Sequence, residues 1–69
     1  MQDDNFLDVI EAEVLADPQN IALREDFVTL LLQYDVDRAA IELQAFEANG
    51  GDPARARILR ARLVAARMR

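Results

Sequence analysis

Two Asp-Pro pairs constrain the fold of this chain more than any other feature. They stand at residues 17–18 and 52–53, and each separates two runs of apolar residues with helical spacing. Proline cannot continue a helix interior, and it biases the residue before it away from helical geometry. At a spacing of 36 the runs after the two breaks also match: Ala22-Leu23-Arg24 with Ile58-Leu59-Arg60, Phe27-Val28 with Leu63-Val64, and Leu32 with Met68. Two amphipathic helices can share such a pattern by chance, but here the break and the pattern recur together, as in helical repeat arrays.

The apolar spacing predicts four helices, at about 4–16, 20–34, 37–49 and 53–68. Only two glycines and two prolines interrupt the chain, and it lacks the β-branched and aromatic content of a sheet, so the predicted fold class is all-α. Connections of a few residues make successive helices antiparallel neighbours in a single domain, residues 1–69. The predicted core consists of Leu7, Ile10, Val14, Leu23, Phe27, Leu30, Leu31, Leu43, Phe46, Leu59 and Leu63.

Residues that favour helix ends stand at the predicted boundaries. Side-chain oxygens at a helix start accept N–H groups that have no partner within the helix, and glycine past a helix end adopts the left-handed conformation. The Asn49-Gly50-Gly51 segment is therefore expected to end the third helix. The predicted capping residues are Asp3 and Asp4 for the first helix, Asn20 for the second, Asp35 or Asp37 for the third, and Asp52 for the fourth.

The middle of the chain resembles one degenerate tetratricopeptide repeat (TPR). The resemblance rests on the run from Asp17-Pro18-Gln19-Asn20 through Ala22-Leu23-Arg24, Leu30-Leu31-Leu32 and Asp35-Val36-Asp37-Arg38-Ala39-Ala40-Ile41-Glu42 to Asp52-Pro53. It implies that Ala39 or Ala40 lies at a close helix–helix contact, followed by the large Leu43 and Phe46, and that Pro53 closes the unit. The chain departs from the family where Tyr34 or Asp35 replaces the usual turn glycine.

The start of the chain is also similar to the N-terminal helical region that precedes the ATPase module in some bacterial AAA ATPases. The similarity lies in the short acidic helix and the Asp-Pro-x-Asn break after it. A comparable helical array follows the thioredoxin fold in certain bacterial thioredoxin-like chaperones. In both families the resemblance implies a segment of a longer protein that docks partners or clients, while the chemistry lies elsewhere.

The composition disfavours an enzyme, a metalloprotein or a membrane protein. The chain has no cysteine and no histidine, so the usual thiolate and imidazole ligands and the usual general base are missing. The acidic groups Asp35, Asp37 and Glu42, or Asp3, Asp4 and Asp8, lack the spacing and glycine of a calcium-binding loop. No catalytic residue, cofactor or metal is predicted. Because no run approaches roughly 20 apolar residues and the N-terminus is acidic, we expect a cytoplasmic protein.

Charge divides the chain into an acidic and a basic part. All thirteen carboxylates and two arginines lie in residues 1–52, whereas residues 53–69 contain six arginines and no acid. The favoured interpretation is that the basic fourth helix lies against the acidic body of its own domain, and the alternative is an anionic partner. Nucleic acid is disfavoured because the chain is acidic overall, with a net charge of -5, and no aromatic residue accompanies the arginines to stack on bases.

The fourth helix is the predicted contact surface for a protein partner. Its spacing gives one apolar stripe of Leu59, Leu63 and Ala66, and a second of Ile58, Ala61, Ala65 and Met68. We expect the first stripe to pack on the domain and the second to remain exposed, to be covered by a partner, by a second copy or by the next helix of a longer chain. A stand-alone regulator that homodimerises through this helix is the alternative function. The predicted partner-binding residues are Arg55, Ile58, Arg62, Ala65 and Met68.

Overall fold

The computed structural model describes residues 4–69 and places four α-helices in this range. They are α1 (Asp4–Ala16), α2 (Ile21–Tyr34), α3 (Val36–Ala48) and α4 (Pro53–Arg67). The described range contains no strand. The all-α fold class is confirmed, and every helix boundary lies within one residue of its predicted position. None of these four helices is long and apolar enough to cross a membrane.

Side-chain caps begin the last three helices. The Oδ1 atoms of Asn20, Asp35 and Asp52 accept backbone N–H groups of the following helix at 3.0, 3.2 and 3.1 Å. Asp35 is the whole connection between α2 and α3, and its own N–H donates to the last turn of α2 at 2.7 Å. Asp37 lies inside the first turn of α3. Asp4 is the first residue of α1, and Asp3 lies outside the described residues.

The Asn49-Gly50-Gly51 segment ends α3, as the sequence predicts. Gly50 has φ +95°, in the left-handed region that favours glycine. The next N–H, of Gly51, donates to the carbonyl oxygen of Phe46 at 2.8 Å. A Cβ atom at position 51 would lie 2.5 Å from the Phe46 ring. Glycine therefore lets the chain turn tightly over this buried ring before α4 begins.

The second helix is the centre of the packing. It contacts α1, α3 and α4, and α3 also contacts α4. Among the four described helices, the backbone of α1 approaches that of α2 only. The ring of Phe6, at the start of α1, meets that of Tyr34, at the end of α2, edge to face at 5.3 Å between centroids, so these two helices are antiparallel. The Cα atoms extend over 34 × 32 × 14 Å, and the short dimension is about two packed helices thick.

One arginine of α3 joins three helices. The Nη2 atom of Arg38 lies 2.6 Å from a carboxylate oxygen of Glu11 and 3.6 Å from one of Asp8, both in α1. Its guanidinium also lies 5.9 Å from the centre of the Phe27 ring of α2, within the range of a cation–π contact. Arg38 thus supplements the limited packing of α1.

The core contains more of α2 than the sequence predicts. Val28, Leu32, Ala39 and Ala56 are buried although they are absent from the predicted core, because α2 is covered on several sides and the alanines stand at close helix contacts. Three predicted core residues are only partly buried, namely Ile10, Leu23 and Leu30. The buried hydrophobic residues are Leu7, Val14, Phe27, Val28, Leu31, Leu32, Ala39, Leu43, Phe46, Ala56, Leu59 and Leu63.

Candidate interaction surface on the fourth helix

The fourth helix lies against both α2 and α3. Near its start Arg55 contacts Glu25, near the start of α2. Near the end of the chain Arg69 and Gln33 line one groove. The two helices therefore run parallel, in the same direction along the domain. This is the arrangement expected if α2 and α4 are equivalent members of a repeat of about 36 residues.

One face of α4 forms part of the core. Ala56, Leu59 and Leu63 are buried, and Ala66 is half-buried. These positions recur at steps of three and four and so form one stripe of the helix. This stripe corresponds to the predicted packing stripe, with Ala56 as an addition at the N-terminal end.

The opposite face of α4 is exposed. We define the outer face as Ala54, Ile58, Ala61, Ala65 and Met68, all of which are accessible. Met68 is 81% exposed and Ile58 42%. Val64, beside this face, is also half exposed. Because the three alanine side chains are small, another helix could approach the backbone of α4 closely at this face.

Two arginines of α4 bind the acidic part of the same domain. Arg55 donates to Oε2 of Glu25 through Nε at 2.8 Å and through Nη2 at 2.6 Å, and Arg60 donates to Glu47 of α3. The hydrogen bonds that Arg55 donates to Glu25, followed by the negative charge of that carboxylate, raise the pKa of Arg55 above its usual range. The basic helix therefore lies partly against acidic residues of its own domain. Each contact is at the surface and contributes little stability.

Four further arginines are exposed on α4 or directly after it, and three of them, Arg57, Arg62 and Arg69, border the outer face. Within the described residues, Arg57, Arg62, Arg67 and Arg69 have no carboxylate within 4 Å. On a helical wheel Arg62 and Arg69 lie on the side towards α2, and Arg57 and Arg67 on the side towards α3. The outer face is therefore an apolar strip between two basic edges.

An open groove accompanies the α2 side of this face. Its volume is about 410 Å³. Leu32, Ala65 and Ala66 supply apolar surface, and Arg62 and Arg69 supply positive charge. Thr29 and Gln33 complete the lining from α2. The groove continues the basic edge of the outer face onto the neighbouring helix.

The predicted partner-binding residues occupy two environments. Ile58, Ala65 and Met68 lie on the outer face, and Arg62 lies at its edge in the groove. Arg55 instead forms the intramolecular ion pair with Glu25. The prediction omits Val64. The sequence offers a signal for it, because Val64 matches Val28 at a spacing of 36, and Val28 is buried in α2.

Another charged pair is largely buried in the domain. Arg24 of α2 is buried, and its Nη1 lies 3.5 Å from Oε1 of Glu42 in α3. Burial raises the pKa of Glu42, although the positive charge of Arg24 opposes this effect. The Nε atom of Arg24 has no hydrogen-bond partner among the described residues. This long, single contact joins α2 to α3 at a cost in desolvation.

The acidic side chains form no candidate metal cluster within residues 6–69. Asp35 caps α3 and Glu42 pairs with Arg24, so both carboxylates have structural roles. The other predicted acidic group includes Asp3, which lies outside the described residues. Comparison with protein-family models, with curated proteins and with solved structures finds no match to this chain.

Proposed function

We propose that this chain is a non-enzymatic, cytoplasmic protein-interaction module of the tetratricopeptide-like type, which binds its partner through the outer face of α4. The exposure of Ile58 and Met68 between arginine edges is the observation that carries the proposal. A contiguous apolar strip on a small domain is typical of an interface. Methionine and arginine are also enriched at protein interfaces.

Packing of the alanines and the order of the helices support the tetratricopeptide-like type. Ala39 is fully buried on α3, where the resemblance places a small residue at a close contact. Each helix contacts the next, and α4 also contacts α2. A repeat array has this pattern of neighbours, because each helix pair stacks on the preceding one.

The proposed setting is a longer bacterial protein. The similarity of this chain to the region that precedes the ATPase module of some AAA ATPases favours a recognition segment of such an ATPase. The helical array of thioredoxin-like chaperones is the alternative setting. In either one the described helices would hold a protein and leave the chemistry to another part of the chain.

A protein partner agrees better with this face than a nucleic acid does. The described residues of α4 include no aromatic side chain on which a base could stack. The apolar strip would also be left exposed by contacts to phosphates alone.

Affinity capture with matched variants tests the surface. The wild type, an Ile58→Asp/Met68→Asp variant and an Ile41→Asp control would be used to capture proteins from a bacterial lysate. Ile41 is exposed on α3, so the control adds a charge at an apolar site outside α4. Bound proteins should be lost with the α4 variant and retained with the control. A set of bound proteins that is unchanged by the α4 variant would reject the assigned surface.

A further inference from the structure

The first helix has an exposed face that resembles the outer face of α4 in its apolar composition and opposes it in charge. Val9, Ala12, Leu15 and Ala16 are exposed on the side of α1 away from α2. We define these four residues as the outer face of α1. Like the outer face of α4, it combines small alanines with a few larger apolar side chains.

The charges beside these two faces are complementary. The sequence of α1 contains four carboxylates and no basic residue, whereas that of α4 contains five arginines and no acid. Exposed Glu13 lies beside the outer face of α1, and exposed Asp17 follows the helix. Asp8 is 70% exposed at its side chain even though it lies near Arg38. An acidic edge therefore accompanies α1, as a basic edge accompanies α4.

The described residues of the domain cover neither face. The backbones of α1 and α4 do not approach each other in the described range. Both helices pack on α2, which lies between them. One copy can therefore present both faces at the same time to two different neighbours.

We infer that copies of this chain associate head to tail, with the outer face of α4 in one copy packed on the outer face of α1 in the next. The inference rests on the proposed function, since it uses the same α4 face, and it names a second copy as the partner. Such an interface is heterologous and does not close by itself, so assembly continues beyond the dimer.

Charge disfavours the symmetric alternative, in which α4 of one copy packs on α4 of another. That arrangement would bring the arginines of both helices together without a carboxylate from either helix. Like charges brought together at an interface weaken it, whereas complementary charges favour association. The head-to-tail arrangement pairs each basic edge with an acidic one.

The expected association is weak and sensitive to salt. The two helices are about 20 Å long, at about 1.5 Å per residue. A contact between two single helix faces of this length lies in the size class of transient interfaces, below about 1,200 Å² of total buried area. The pairing of exposed charges weakens as ionic strength rises.

Sedimentation of the purified full chain tests the inference. One variant blocks α1 (Val9→Arg/Glu13→Arg), another blocks α4 (Ile58→Asp/Met68→Asp), and Ile41→Asp is the control on α3. The wild type and the control should form species larger than a dimer as concentration rises, and should dissociate with salt. Each blocked variant should be monomeric alone. An equimolar mixture of the two should associate again, because it supplies one intact face of each kind.

Two results would overturn the inference. One is a monomeric wild type at every concentration, and the other is self-association of the α1-blocked variant alone, which is the result expected of an α4–α4 dimer. Circular dichroism of each variant verifies that the helices remain folded. If the wild type is monomeric while the α4 variant loses a partner that the wild type captures, this combination rejects self-assembly but agrees with the proposed function. If the α4 variant keeps both self-association and the captured partner, the inference and the proposed function are both rejected.

Discussion

Helices α2 and α4 share a sequence pattern but have different surroundings. Val28 of α2 is fully buried, whereas the matching Val64 of α4 is 50% exposed. Leu32 is 7% exposed and its counterpart Met68 is 81% exposed. The shared pattern therefore indicates positions that can be buried. Whether such a position is buried depends on the number of neighbouring helices. Among the described helices, α2 packs against three others and α4 against two.

The largest expected difference is between Leu32→Ala and Met68→Ala. Truncating the buried leucine removes core contacts and leaves a cavity, at a cost of about 3 kcal/mol. Truncating the exposed methionine should change the unfolding free energy by less than about 0.5 kcal/mol. Urea denaturation followed by circular dichroism measures both. Equal losses would mean that α4 is covered in solution, as it would be in a tightly assembled form.

Replacing matched arginines by methionine should give the next largest difference. Arg24→Met leaves the partly buried Glu42 without its cation, so we expect a loss of about 2 kcal/mol. Arg60→Met removes only an exposed ion pair with Glu47, with an expected change of less than about 1 kcal/mol. The same denaturation experiment compares them. A more stable Arg24→Met variant would show that desolvation outweighs the attraction between Arg24 and Glu42.

A smaller effect is expected from Arg38→Met, which tests the polar attachment of α1 to the interior. The change removes the contacts with Glu11 and Asp8 and the cation–π contact with Phe27. The expected loss of stability is about 1 kcal/mol. Arg62→Met is the matched control, because Arg62 has no carboxylate within 4 Å in the described part of the chain. A loss equal to that of the control would leave α1 held by apolar packing alone.

The smallest expected effect depends on pH and belongs to Glu42. Its pKa is higher in the folded chain than in the unfolded chain, since burial disfavours the charged form. The stability contributed by this carboxyl is therefore complete below the unfolded-state pKa and falls as the pH rises through the folded-state value. Glu42→Gln removes that titration. The variant should gain stability relative to the wild type from acidic to neutral pH, and a difference independent of pH would contradict this assignment.

The sequence predicts the helices well because their ends are set by local chemistry. Asn20, Asp35 and Asp52 cap the helices that follow them, and Gly50 adopts the conformation that ends α3. These interactions involve residues close in sequence, so a pattern of residue types is sufficient to find them.

The burial of particular side chains is harder to predict because it depends on distant neighbours. Arginine is usually exposed, yet Arg24 is buried and contacts Glu42 of α3. Ile10 and Leu30 have the spacing of core residues but remain partly exposed. For α4 the two stripes are distinguishable from their spacing. The spacing does not show which arginines of α4 form ion pairs within the domain, because Glu25 and Glu47 belong to two different helices.

The position of α1 at the end of the packing order has a consequence for how the domain opens. Of the described helices, only α2 packs against the backbone of α1, and Arg38 supplies the additional link to α3. Release of α1 therefore disrupts fewer contacts than release of α2, which would expose most of the core. Local opening follows the least stable unit of a structure. The amide hydrogens of α1 should exchange with solvent before those of α2, and a protease should first cut the chain at the α1–α2 connection.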